Sequence, residues 1–198
     1  MRPRVRVVAR GVVLLVAASC ASPDSDTGSA PGPSPGSSDV ELHIPEGALP
    51  GTSARVVELE LAVLANDAID PANLELLLVD AGFVAGTERT FSGTAAGRRR
   101  ATARVLAFET PAGAERYVNW LADHVQELIG EAQIVRDAET TGGTIVFVHE
   151  PSGCCHLETK LFLGVWRRGA TVITLKLAGQ GVHLATMIGF ASRLDAAV

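Results

Sequence analysis

Lysine is nearly absent from this 198-residue chain, with two against fifteen arginines. Aromatic residues make up 5%, including one tyrosine and two tryptophans. Rings so few and so scattered do not suggest a surface for stacking nucleic-acid bases. No apolar run approaches the roughly 20 residues of a membrane-crossing helix. No Gly-x-Gly-x-x-Gly follows a strand-like run, and no Walker sequence occurs, so the common phosphate cradles are missing. Cysteine is limited to Cys20, Cys154 and Cys155. Positive charge is also in deficit, with 17 Lys and Arg against 22 Asp and Glu. An acidic body has no general attraction for nucleic acid or anionic lipid, and no nucleic-acid partner is expected.

What is present begins at the N-terminus. Arg2, Arg4, Arg6 and Arg10 form a positive stretch, Val12–Ala18 is apolar, and Ala17, Ala18 and Ser19 are small. This is the three-part pattern of a secretory signal. Val16-Ala17-Ala18-Ser19-Cys20 resembles the bacterial lipobox. That resemblance implies diacylglyceryl transfer to the Cys20 thiol and cleavage before it, with two acyl chains sufficing for stable anchoring. The expected location is the outer face of the cytoplasmic membrane. Losing the four leader arginines leaves 13 cations against 22 acids, a net charge of −9, so the lipid must do the holding.

Ala21–Asp39 holds no apolar residue larger than alanine and is rich in Pro, Gly and Ser. Such a segment cannot bury enough surface to offset chain entropy. It reads as a tether reaching on the order of 25 Å. The expected organisation is therefore a signal peptide at 1–19, lipidated Cys20 and tether at 20–39, and one domain at 40–198.

Within the domain, Val40–Ile44 alternates like a short strand and Pro45–Gly51 reads as a turn. Arg55–Asn66 fits either period, and its length favours a helix. Asp70 and Pro71 are cap and first residue of a clearer helix, which Gly82 stops. Phe83–Phe91 and Arg100–Glu109 read as strands around a Ser92–Arg99 loop. Thr110-Pro111 opens the strongest helix, with Ala114, Tyr117, Val118, Leu121, Val125 and Leu128 on one face and Gly130 at its end. Gln133–Ala138 and Thr144–His149 follow as strands. Thr159–Trp166 and Ala170–Ala178 form a hairpin, and Val182–Ala196 a last helix. Arg98–Thr102 echoes Arg167–Thr171 at an offset of 69. The fold class expected is α+β, an antiparallel sheet backed by helices on one side, with two strand–strand–helix units.

Ile69-Asp70-Pro71, Asp80-Ala81-Gly82-Phe83-Val84, Phe108–Leu121 and Gly153-Cys154-Cys155 together resemble uncharacterised actinobacterial lipoproteins. The resemblance covers most of the domain. It implies location and fold class and carries over no activity, cofactor or site residue.

The densest set of ligand-type side chains is His149–Glu158. Once Cys20 is acylated, Cys154 and Cys155 have only each other as intrachain partners. Outside the cytoplasm thiols oxidise. Adjacent α-carbons lie about 3.8 Å apart, below the span of a relaxed disulfide, so a vicinal bond would twist the peptide. Three readings stay open: a vicinal disulfide, which is favoured, two buried thiols, and a soft-metal site using Cys154, Cys155 and His156 with His149 in reach. The spacing matches no zinc motif, so no metal or other cofactor is expected. Arg98, Arg99, Arg167 and Arg168, with Arg100 and Arg104, are candidates for an anion-binding patch, against the plainer reading of solvated arginines at turns. His43, His124 and His183 have no partner signal, and no catalytic set emerges. A membrane-anchored, non-enzymatic ligand-binding or scaffolding module is therefore expected, its partner a small ligand or a protein. A deep apolar pocket between sheet and helices would favour a lipid. The alternative is a redox or soft-metal module centred on Cys154 and Cys155.

Overall fold

Two antiparallel hairpins form the middle of the molecule, and each joins two runs of β-favouring residues close together in the chain. In this computed structural model the described residues are 42–94, 97–130, 132–135, 145–149 and 159–198, all within the unit Asp39–Val198. The segments expected as signal peptide and tether, with Cys20, and also Cys154, Cys155 and His156, lie outside them. The strands are β1 (Thr52–Ser53), β2 (Val57–Leu59), β3 (Phe83–Thr94), β4 (Gly97–Phe108), β5 (Gln133–Val135), β6 (Ile145–His149), β7 (Thr159–Arg168) and β8 (Thr171–Gln180). The helices are α1 (Leu61–Ala65), α2 (Pro71–Asp80), α3 (Pro111–Asp123), α4 (Val125–Ile129) and α5 (Leu184–Ala197).

The strands make one open antiparallel sheet in the order β1-β3-β4-β8-β7-β6-β5, with β2 also paired to β3. The fold class is thus α+β, with β3-β4-α3 and β7-β8-α5 as its two strand–strand–helix units. Central β4 and β8 pair over nine positions, from Arg99↔Gly179 to Ala107↔Thr171. Successive residues of a strand point to opposite faces. Ala101, Ala103 and Val105 of β4 and Ile173, Leu175 and Leu177 of β8 therefore share one face, where α5 packs with Met187, Phe190, Ala191 and Leu194. The opposite face carries Leu106, Phe108, Val165 and Val172 under α1–α4. The helices are divided between both faces rather than confined to one. Such double coverage explains why β7 and β8 read as nearly continuous apolar runs.

Local chemistry places the helices. Asp70 Oδ1 accepts from the Asn73 backbone N–H at 3.2 Å, and Thr110 Oγ1 accepts from that of Gly113 at 3.1 Å. Each cap precedes a proline at the first helical position. The strongest helix ends sooner than its period predicts. His124 Nδ1 donates to the Trp120 carbonyl at 2.9 Å, His124 has φ −108° and ψ 14°, and α4 starts afresh at Val125. Arg55–Asn66 resolves into both readings in turn, strand β2 and then helix α1. Leu42–Ile44 is not a strand, although Ile44 is fully buried. The Ser92–Arg99 loop shrinks, because β3 runs on to Thr94 and β4 starts at Gly97. The sequence echo does not follow the structural units: Arg98–Thr102 lies inside β4, whereas Arg167–Thr171 spans the β7–β8 turn. The two following helices, α3 and α5, pack on opposite faces.

Candidate functional site

On the α1–α4 face the character of the sheet changes along each central strand. The residues of β4 that point this way read Phe108, Leu106, Arg104, Thr102, Arg100. Those of β8 read Val172, Thr174, Lys176, Ala178. At the apolar end α3 packs down with Ala114 and Tyr117, and the core is closed. At the polar end the helices stand over the sheet and leave a cavity of about 420 Å³. Leu64 of α1, Leu74 of α2, Trp120 and Leu121 of α3, and Leu128 and Ile129 of α4 form its wall. Thr102, Thr174, Lys176 and Ala178 belong to its floor, beside Leu163 of β7.

Three charged groups close one side. Arg104 Nε donates to Glu88 Oε2 at 2.6 Å, and Arg104 Nη1 donates to Asp67 Oδ2. Burial disfavours this guanidinium's charge, but the bonds to Asp67 and Glu88 outweigh that and hold its pKa above the ordinary value. Tyr117 beside them is 3% exposed. Burial pushes its phenol pKa well up, Arg104 opposes that shift, and Asp67 adds to it. Arg100 and Lys176 differ from Arg104. Both are exposed, both line the cavity, and none of the described residues pairs with either.

A ladder of rings links the closed core to the cavity wall. Phe83 meets Phe108 edge-on at 5.9 Å, Phe108 meets Tyr117 at 5.5 Å, Tyr117 stacks on Trp120 at 6.2 Å, and Trp120 stacks on His124 at 4.6 Å. These spacings suit favourable aromatic pairs. Trp120 Nε1 is buried without an acceptor among the described residues. His124 is occupied as the α3 terminator and as the last ring of the ladder.

The arginines singled out by sequence are not brought together. Arg98 and Arg99 lie at the start of β4, and Arg167 and Arg168 at the end of β7. Along β8 these positions are eight residues apart, Gly179 against Thr171, or roughly 27 Å. Arg99 Nη2 donates to Gly181 O at 3.0 Å. Arg167 Nη1 donates to Pro111 O and Gly169 O, and Arg168 pairs with Asp195 at 2.8 Å. Of the wider arginine set, Arg100 and Arg104 line the cavity. Lys176 was missed. Its signal was a polar residue, with Thr174, at alternate places of an otherwise apolar strand. His149 ends β6 and is half-buried, and a Cβ added at Gly130 would come within 3.0 Å of its ring. Among the described residues no three His, Cys, Asp or Glu side chains gather in a way that could hold a metal ion. No described helix is long and apolar enough to cross a membrane.

No protein-family model and no curated protein matches this chain. Among solved structures, the chain is similar to the extracellular domain of PknH from Mycobacterium tuberculosis, with 13% identity and a TM-score of 0.48. The match covers 75% of this chain and 80% of that one.

Proposed function

We propose that the chain is a non-enzymatic ligand-binding module, held by a lipidated Cys20 at the outer face of the cytoplasmic membrane, whose ligand occupies the cavity between the sheet and α1–α4. The cavity is the observation that carries the binding role. Its volume of about 420 Å³ falls where small-molecule sites fall, and its aliphatic and aromatic wall faces charged and hydroxyl groups on the other side. Both carboxylates at the site are bound by Arg104, which suits a fixed wall more than proton transfer. Anchoring rests on the lipobox-like segment ending in Cys20 and on the tether after it.

The test uses the chain from residue 20 onward with Cys20→Ser, which removes the lipid, and Trp166→Phe, which leaves Trp120 as the single tryptophan. Titration with 1-decanol should shift Trp120 emission and saturate. Ala178→Phe, which fills the floor, should abolish the response. If decanol, decanoate and decyl phosphate all leave the emission unchanged, the cavity is not a ligand site. Mass spectrometry of the native N-terminus tests the anchor separately, and an unmodified Cys20 would remove it.

A further inference from the structure

We infer that the ligand is a single-chain amphiphile with an anionic head, its tail against the aliphatic wall and its head between Arg100 and Lys176. This rests on the cavity being a ligand site and adds the chemical class of what it takes.

The first argument is the charge pattern. The cavity brings together three cations, Arg100, Arg104 and Lys176, and two carboxylates, Asp67 and Glu88. Arg104 holds both carboxylates. Arg100 and Lys176 are thus left as the unneutralised pair on a chain whose overall charge is negative. The second argument is register. Thr102 lies opposite Lys176, and Arg100 opposite Ala178. Arg100 and Lys176 are therefore diagonal neighbours on one face, about 7–8 Å apart at the backbone. Like charges so placed repel, and an anion between two long, flexible side chains offsets that repulsion. Carboxylate and phosphate ester both supply the charge and the acceptor oxygens.

The third argument is the gradient. Arg100 and Lys176 are exposed, whereas Leu64, Leu74, Leu121 and Ile129 of the wall are buried. The basic end faces water and the apolar end faces inward, which is the order an amphiphile presents. Size agrees. At roughly 30 Å³ per water-sized group, the cavity holds about 14 such groups, enough for a medium-length chain and its head.

The experiment compares molecules of equal chain length on the same Trp120 reporter. Decanoate or decyl phosphate should bind roughly tenfold tighter than 1-decanol at low salt, and the advantage should shrink as ionic strength rises. Arg100→Ala/Lys176→Ala should weaken the anions roughly tenfold and leave decanol within about twofold. Lys176→Glu should weaken them further. Arg193→Ala, an exposed arginine on α5 across the sheet, should change nothing. Arg100 and Lys176 are both exposed, so the variants should keep the parent circular dichroism spectrum. Which of the two anions binds tighter identifies the head. If decanol binds as tightly as the anions, or the double variant leaves them unchanged, the anionic head is wrong and the cavity reading survives. If inorganic phosphate alone competes as well as decyl phosphate, the tail is irrelevant and the amphiphile is wrong. If none of the three chains binds, both readings fall together.

Discussion

The two faces of the sheet use the same strands and end differently. On the α5 face, Phe91, Val105, Ile173, Leu175 and Leu177 are all fully buried. Its one tryptophan is satisfied, with Trp166 Nε1 donating to Asp195 at 2.8 Å while Asp195 also holds Arg168. On the α1–α4 face the apolar residues stop halfway along β4 and β8, a cavity follows, and the tryptophan there has no described acceptor. A face whose central residues are closely packed contributes stability through packing. A face left unfilled gives up some of that packing and gains room for a ligand. The contrast comes from a handful of positions, Arg100, Thr102, Arg104, Thr174 and Lys176, where the other face has Ala, Val, Ile and Leu.

Substitutions can break this contrast, starting with the largest expected effect. Phe91→Ala on the filled face should cost about 3–5 kcal/mol, read by chemical denaturation, because the surrounding side chains cannot collapse into the void. Gly113→Ala comes next. A Cβ at Gly113 would lie 1.9 Å from the Ala81 carbonyl oxygen, so α3 must move off the end of α2, at about 1–3 kcal/mol or more. Trp166→Phe keeps the ring packing and removes the bond to Asp195, and should cost about 1–2 kcal/mol. Leu128→Ala on the cavity wall should cost about 1 kcal/mol, since Leu128 is only half-buried and loses less burial than a core leucine. Its larger effect should be on 1-decanol binding. If Leu128→Ala proves as costly as Phe91→Ala, the two faces are equally packed and the contrast fails.

A gentler probe is the single tyrosine. Burial raises the Tyr117 phenol pKa, so the folded chain keeps this proton where an unfolded chain releases it, near pH 10. Its contribution to stability is complete below that pH and is lost as pH rises further. Absorbance at alkaline pH should show tyrosinate appearing together with unfolding. Tyrosinate appearing near pH 10 in a still-folded chain would mean that Tyr117 is not sealed from water.

Some of this was legible in the sequence, and the reason is locality. Asp70-Pro71 and Thr110-Pro111 predict helix starts because a cap needs only its own next three residues. The β7–β8 hairpin reads directly from two apolar runs around Arg167–Gly169. The errors fall where distant chain decides. Val40–Ile44 alternates like a strand, yet Leu42–Ile44 is irregular and Ile44 is an anchor in the α5-side core. The α3–α4 break depends on a bond from the His124 ring, which a 3.6-residue period cannot register. The arginine candidates rest on residue type and an echo in sequence, and how far apart they lie is set by the β8 register.

The sequence by itself determined where most strands and helices begin and that acidic charge predominates. These follow from caps, periods and composition. Only the tertiary structure decided that β4 pairs with β8. Strand pairing is a property of register between segments far apart in the chain, and no local pattern encodes it. That pairing alone sets Lys176 beside Arg100, under a wall from α1–α4. It makes one half of one face a cavity, while behind it Ala101, Ala103, Leu175 and Leu177 are buried on the α5 side.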